Sequence, residues 1–275
     1  MKQALADLDS ICLELRKRIL KIVYKSGSGH LTSSYSCLEI LSTLYFGGIL
    51  RYDPNNPKWE DRDYVVLSKG HAAMALYSIM AKVGFIEENE LYSFCSRGSR
   101  LGGHPRMTLA GVDASSGSLG HGLPFAAGLA KGLVLKNKKS KVFCITGDGE
   151  LQEGSNWEAA MFIAQNKLTN LIWIIDDNNL QIAERTSDVI SLESLYDKIN
   201  SFGFETYEVN GHDCKALYDV LIKQTKKPLA IIAKTEKGHG LPSIAGKPGW
   251  HARKPSKEEL DVFLSELGMT KGELE

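Results

Sequence analysis

The sequence contains no C-x-x-C pair. Its five cysteines, Cys12, Cys37, Cys95, Cys144 and Cys214, are odd in number and widely spaced. That pattern argues against a disulfide framework and a cysteine zinc site, and fits reduced thiols in a cytoplasm. An excess of either charge is also missing, since Lys+Arg and Asp+Glu both number 33. A balanced chain offers no electrostatic case for nucleic acid or an anionic membrane. No apolar run approaches the roughly 20 residues that cross a bilayer. Two acids and two alanines precede any apolar core at the amino terminus, which is not the layout of a signal peptide. There is no G-x-x-x-x-G-K-[ST] loop for a nucleoside triphosphate. What remains is a chain of 275 residues, 43% hydrophobic, long enough for one large α/β domain or two small ones.

Leu5, Leu8, Cys12, Leu15, Ile19 and Ile22 recur at helical spacing and predict an amphipathic helix over 4–24. "KSGSGHLTSS" (25–34) breaks it, and a helix over 37–46 follows. Further helices are expected from Ala72, over 123–135, within 155–165, over 191–202 and over 213–225. Residues 96–122 are glycine-rich and irregular. Short apolar runs at 64–68, 142–146, within "NLIWIIDDNN" (170–179), at 204–209 and at 229–235 read as strands. The core runs are apolar on both faces and alternate with helices. The expected fold is therefore α/β: a doubly wound, mostly parallel sheet with helices on both faces. No linker divides the chain, so residues 1–275 are expected to form a single domain. From about residue 240 the expectation is a loop, exposed after His251, and one short helix.

The strand Val142–Thr146 ends in Gly147-Asp148-Gly149, and Asp176-Asp177-Asn178-Asn179 ends the next apolar run. Ligands of open parallel sheets sit beyond the carboxyl ends of strands. One helix and its turns fit between the two runs, so their ends can lie side by side. Asp148 and Asn178, 30 positions apart, then reach one ion. A carboxylate, an amide oxygen and a main-chain carbonyl make a hard oxygen site of the kind Mg2+ completes with water and substrate phosphates. Gly149 lets its amide approach a phosphate oxygen. The bland reading of the glycine pair is a turn with a solvated or capping aspartate.

The segment from Gly147 to Asn179 resembles the thiamine diphosphate motif. "SGSGHLTSS", "LSKGHAAMALY", "GGHP", "SSGSLGHGLPFAAGLA" and "KTEKGHG…GWHARKP" resemble transketolase, in the family's order from Gly27 to Pro255. The resemblance implies the diphosphate-binding domain of that family. Thiamine diphosphate would be held through Mg2+, with Ca2+ or Mn2+ as substitutes. The metal ligands would be Asp148, Asn178 and the carbonyl of Leu180. Ser33, His71, Gly117, Ser118, Leu119, Gly149, Lys237 and His251 match cofactor-contacting positions, and Lys69 belongs to the same neighbourhood.

Six of the seven histidines follow a glycine. By resemblance, His30, His104 and His251 contact substrate hydroxyls and assist proton movement, while His71 lies near the diphosphate. His212 and His239 are read as hydrogen-bonded loop histidines, and Glu153 is expected in an acidic network beneath the site. His121 stands where the family usually has glutamine, and Arg106 where it usually has an acid. Both bear on the identity of the sugar.

No segment resembles the family's pyrimidine-binding domain, which supplies the glutamate that activates the cofactor. The expectation is a cytoplasmic N-terminal subunit of a split transketolase, active with a C-terminal subunit in an α2β2 assembly and acting on sugar phosphates. Three alternatives stand beside it. One is a split thiamine enzyme for another sugar or keto acid. The others are a non-catalytic relic module and a nucleotide-binding protein built on the "GSLGHG" loop.

Overall fold

The computed structural model describes residues 7–182 and 184–275. Leu8, Cys12, Leu15, Ile19 and Ile22 are buried along one face of α1 (Leu8–Ser26), as their spacing predicts. Leu5 of the same repeat, with the first residues of the 4–24 expectation, lies outside the described residues. Gly27, at φ 69°, closes the helix in the left-handed conformation that glycine adopts most readily. The stretch read as a break holds a short helix, α2 (Leu31–Ser36), followed directly by α3 (Leu38–Phe46). Every residue of α2 is buried, so packing rather than the weak propensity of serine and threonine holds this turn.

Along the chain run β1 (Tyr64–Leu67), α4 (Ala73–Val83), α5 (Gly122–Leu135), β2 (Val142–Gly147), α6 (Gly154–Gln165) and β3 (Leu171–Asp177). A small antiparallel pair follows, β4 (Leu180–Gln181) and β5 (Glu184–Arg185), then α7 (Thr186–Val189) and α8 (Leu195–Ser201). The remainder is β6 (Glu205–Asn210), α9 (Cys214–Leu221), β7 (Leu229–Lys234) and α10 (Lys257–Glu266). Strands β1, β2, β3, β7 and β6 lie in that order in one sheet, every neighbouring pair parallel.

All seven residues of β3 are buried. Its alternation sends Ile172 and Ile174 into a core with α1, α3, α4, α9 and α10. Leu171, Trp173 and Ile175 face a second core with α5, α6 and α8. Each fully buried aliphatic side chain contributes about 1.5–3 kcal/mol, so both faces stabilise the central strand. The chain steps from β1 to β3, crosses to the edge strand β6, and returns beneath the other face through α9 to insert β7. That reversal is the double winding expected of the sheet.

After His251 the chain forms the largely exposed loop and the short helix expected, the helix being α10. Its Phe263 and Leu264, with Leu267 just beyond its end, are buried in the first core, as is Trp250. Among the described residues no helix is long and apolar enough to cross a membrane.

Candidate active site

The β2–β3 register pairs Gly147 with Asp176, so Asp148 and Asn178 leave the sheet at neighbouring strand ends, as their spacing predicts. Both are buried, and with Leu180 they line a cavity of about 370 Å³. Thr186 Oγ1 donates to Asp148 Oδ2 at 2.7 Å. Burial raises the Asp148 carboxyl to about 6; the Thr186 hydrogen bond opposes this, and Asp177 and Asp176 add to it. A cation beside it would favour the ionised form. Asn178 Nδ2 donates to Ser36 Oγ at 3.0 Å, while Asn178 Oδ1 accepts the Leu180 N–H at 3.0 Å.

Beneath these groups Lys69 and Asp176 form an ion pair with almost no exposure. Asp176 Oδ1 also accepts the Ser36 hydroxyl at 2.8 Å and the Thr235 hydroxyl. Burial works against the Lys69 ammonium, but Asp176, Cys37 and Asp148 outweigh it and hold its pKa above the ordinary lysine value.

Four imidazoles converge on the same cavity. The ring centroid of His30 lies 5.5 Å from His71, 6.2 Å from His104 and 4.8 Å from His251. Burial, followed by His251, His104 and the lysines, lowers His30 to about 4. Burial with Lys237 and Lys69 lowers His251 to about 4. His71 is pushed well below the imidazole range, by burial first and then Lys69. Lys237 Nζ lies 3.5 Å from His251 Nδ1 and donates to the Ile182 carbonyl at 3.2 Å. Burial and Lys69 bring Lys237 down to about 8. A pocket in which His30, His71 and His251 are held below the usual imidazole range beside two lysines is suited to a polyanion, whose charge would reverse these shifts.

Two glycines permit the close packing. Gly117, at φ 137°, would place a Cβ 3.0 Å from the His104 ring. A Cβ on Gly149 would meet the Gln181 Cβ at 2.7 Å. Glu150 ties the glycine loop to the strand ends. Its Oε1 accepts the Gly120 N–H at 3.0 Å and the Ser68 hydroxyl, and its Oε2 accepts the Gly147 N–H at 3.1 Å.

The cavity brings together His30, Ser33, Lys69, His71, His104, Gly117, Leu119, Asp148, Gly149, Asn178, Leu180, Lys237 and His251. Ser118 does not line it and is exposed. Glu153 is exposed at the rim; the buried acids beneath the site are Glu150 and Asp176. His121 and Arg106 are exposed and do not line the cavity. Sequence reasoning missed Ser36, Glu150, Asp176, Gln181 and Thr186 as parts of the site. Glu150 and Asp176 stood within the recognised Gly147–Asn179 motif and Gln181 next to Leu180; Ser36 and Thr186 had no motif beside them.

His212 and His239 lie in a separate cluster, and the His212 ring is hydrogen-bonded as expected of a loop histidine. His212 Nε2 accepts the Glu236 N–H at 2.8 Å, so Nδ1 carries the proton that reaches Glu39 Oε2 at 2.9 Å. His239 stacks on His212 with ring centroids 3.6 Å apart. Glu39, His212 and His239 are close enough to surround an ion. The Arg16 guanidinium on Glu39 and the engaged nitrogens of His212 oppose that use. The cluster instead braces the segment carrying Lys237.

A cofactor site is testable against this geometry. The Ser33 hydroxyl and Gln181 Oε1 are buried without a partner among the described residues, and both residues line the cavity. Asp148, Asn178 and Leu180 offer oxygen donors that suit Mg2+. The residues present fit a metal-bound diphosphate.

Residues 10–274 match the family model for the transketolase thiamine diphosphate binding domain. The chain belongs to the transketolase family. It is 40% identical over 265 residues to one subunit of the apulose-4-phosphate transketolase of Actinobacillus succinogenes, covering 95% of this chain and 96% of that one. The corresponding subunit from Phocaeicola vulgatus is 39% identical over 92% of this chain and 90% of its own. Campylobacter jejuni transketolase superimposes with a TM-score of 0.88 at 32% identity, over 97% of this chain and 43% of that chain. The chain thus spans less than half of that transketolase and nearly all of the two apulose-4-phosphate transketolase subunits. These matches support a thiamine diphosphate-dependent, transketolase-type transferase role.

Proposed function

We propose that the chain is the diphosphate-binding N-terminal subunit of a split transketolase. It would transfer a two-carbon ketol unit from a ketose phosphate to an aldose phosphate. The observation that carries this reading is the convergence of Asp148, Asn178 and four histidines on one cavity. The two relatives named as transketolase subunits, matched nearly end to end, support the split arrangement. We read residues 1–275 as one diphosphate-binding domain in an α2β2 assembly in the cytoplasm, with a C-terminal subunit supplying the activating glutamate.

Asp148, Asn178 and the Leu180 carbonyl hold Mg2+, or Ca2+ or Mn2+ in its place. Ser33, His71, Gly117, Leu119, Gly149 and Lys237 surround the diphosphate and its approach. Ser118 serves at the edge of that loop. Thiamine diphosphate supplies the electron sink for breaking and remaking the carbon–carbon bond. His30, His104 and His251 orient donor and acceptor hydroxyls. Near pH 7 the low pKa values of His30 and His251 keep them neutral in the ligand-free chain, able to donate and accept hydrogen bonds. Beside an anionic substrate and a bound diphosphate, His30 and His251 would become more basic and able to take a hydroxyl proton.

Apulose 4-phosphate, for which those two relatives are named, is the first donor to assay beside common ketose phosphates. Native mass spectrometry of the chain purified from its host in magnesium buffer tests the assembly. A heterotetramer carrying thiamine diphosphate, active when the isolated chain is not, is the expected result. Robust ketol transfer by the chain alone contradicts the split-enzyme reading.

A further inference from the structure

An asparagine offers two chemically different ends, and only Oδ1 can ligate a cation. The orientation of the Asn178 amide therefore decides whether the site works. Among the residues lining the cavity, Leu180 contributes to that orientation, its N–H donating to Oδ1 at 3.0 Å. The contact at the Nδ2 end lies one layer deeper.

Lys69 has only protons to give, and it binds Asp176 Oδ2. Asp176 Oδ1 accepts from Ser36 Oγ at 2.8 Å. With its proton committed to Asp176, Ser36 presents a lone pair. The Asn178 group 3.0 Å from that lone pair must be the Nδ2 donor. A reversed amide would set Asn178 Oδ1 against the Ser36 lone pair and bring Nδ2 against the Leu180 N–H, now 3.0 Å from Oδ1. Both contacts would be lost. Ser36 has no exposed surface and does not line the cavity, so it cannot act by touching a ligand.

We propose that Ser36 is a positioning residue. Oriented by the buried Lys69–Asp176 pair, it holds the Nδ2 end of the Asn178 amide and, with the Leu180 N–H on Oδ1, keeps the oxygen toward the metal. This rests on the metal-diphosphate reading above. Partners that orient a ligand from behind are worth about 10–100-fold in metal affinity. The layer joins residues far apart in sequence: Ser36 at the end of α2, Lys69 after β1, and Asp176 at the end of β3. The ion site is thereby coupled to the packing of α2 against the sheet.

The test is Mn2+ binding, read by electron paramagnetic resonance at saturating thiamine diphosphate, on the chain with its partner subunit. Ser36→Ala is expected to weaken Mn2+ binding about 10–100-fold, with the metal-free melting temperature little changed. In an Asn178→Ala background the same substitution is expected to add less than about twofold, because nothing is left to orient. Thr235→Val removes the other hydroxyl on Asp176 while leaving Asn178 its acceptor, and is expected to stay within about threefold of wild type. Mn2+ affinity of Ser36→Ala within about twofold of wild type overturns the positioning role alone. Equal losses in Ser36→Ala and Thr235→Val also overturn it, because the effect then belongs to the general surroundings of Asp176. Absence of thiamine diphosphate-dependent Mn2+ binding in the wild type overturns the functional reading, and the positioning role with it.

Discussion

Lys69→Met isolates the charge that anchors the floor of the site. Methionine retains most of the lysine stem, so packing changes little and only the ammonium is removed. Asp176, with no exposed surface, then keeps its charge with two hydroxyl donors, Ser36 and Thr235. Breaking a buried pair by removing one partner costs about 3–5 kcal/mol. For a chain of this length that lowers the melting temperature by roughly 6–10 °C. The second substitution, Asp176→Asn, distinguishes lost charge from lost packing. In Lys69→Met/Asp176→Asn, the amide oxygen still accepts both hydroxyls. Its NH2 group faces the methionine unsatisfied, which costs about 1–3 kcal/mol. The double variant is thus expected to be more stable than Lys69→Met alone. Thermal and urea unfolding of the two single variants and the double variant provide the assay. A loss below about 1 kcal/mol for Lys69→Met, or strictly additive losses, refutes the buried-pair reasoning.

Two further outcomes follow from the geometry. Gly149→Ala drives a Cβ toward the Gln181 Cβ at 2.7 Å, so β4 must shift. Overpacking of this kind costs about 1–3 kcal/mol, and thermal melting together with weakened cofactor titration measures it; unchanged melting and binding contradict the close approach. His30 and His251 are held at about 4 in the folded chain against a reference of 6.5. Between those values the unfolded chain binds more protons, so their contribution makes stability fall as pH drops from about 6.5 to about 4. A His30→Asn/His251→Asn variant is expected to show a flatter dependence of melting temperature on pH, and an unaltered slope removes these residues as its cause.

The sheet was legible because buried parallel strands leave short apolar runs, such as those within Val142–Thr146 and at the start of β3, ahead of Asp176. The Asp148–Asn178 pairing was legible because parallel strands joined by one helix end side by side. Short helices were less so. Helix α2 is rich in serine and threonine, and only burial against its neighbours holds it. The docking of α10 had a readable signal in the spacing of Leu260, Phe263, Leu264 and Leu267, which places them along one helical face. The layer beneath the site was not legible. Ser36 is one serine among several, and its importance depends on Asp176, a residue 140 positions away. Side-chain pairing at that distance leaves no local periodicity.

The most direct measurement of the central claim is calorimetric titration of thiamine diphosphate into the chain with its partner subunit, with Mg2+ and then with chelator. The wild type is expected to bind only with Mg2+, and folded Asp148→Ala is expected to lose that metal-dependent binding. Equal binding with chelator, or normal metal-dependent binding by Asp148→Ala, contradicts the assignment of Asp148 and Asn178 as the metal site.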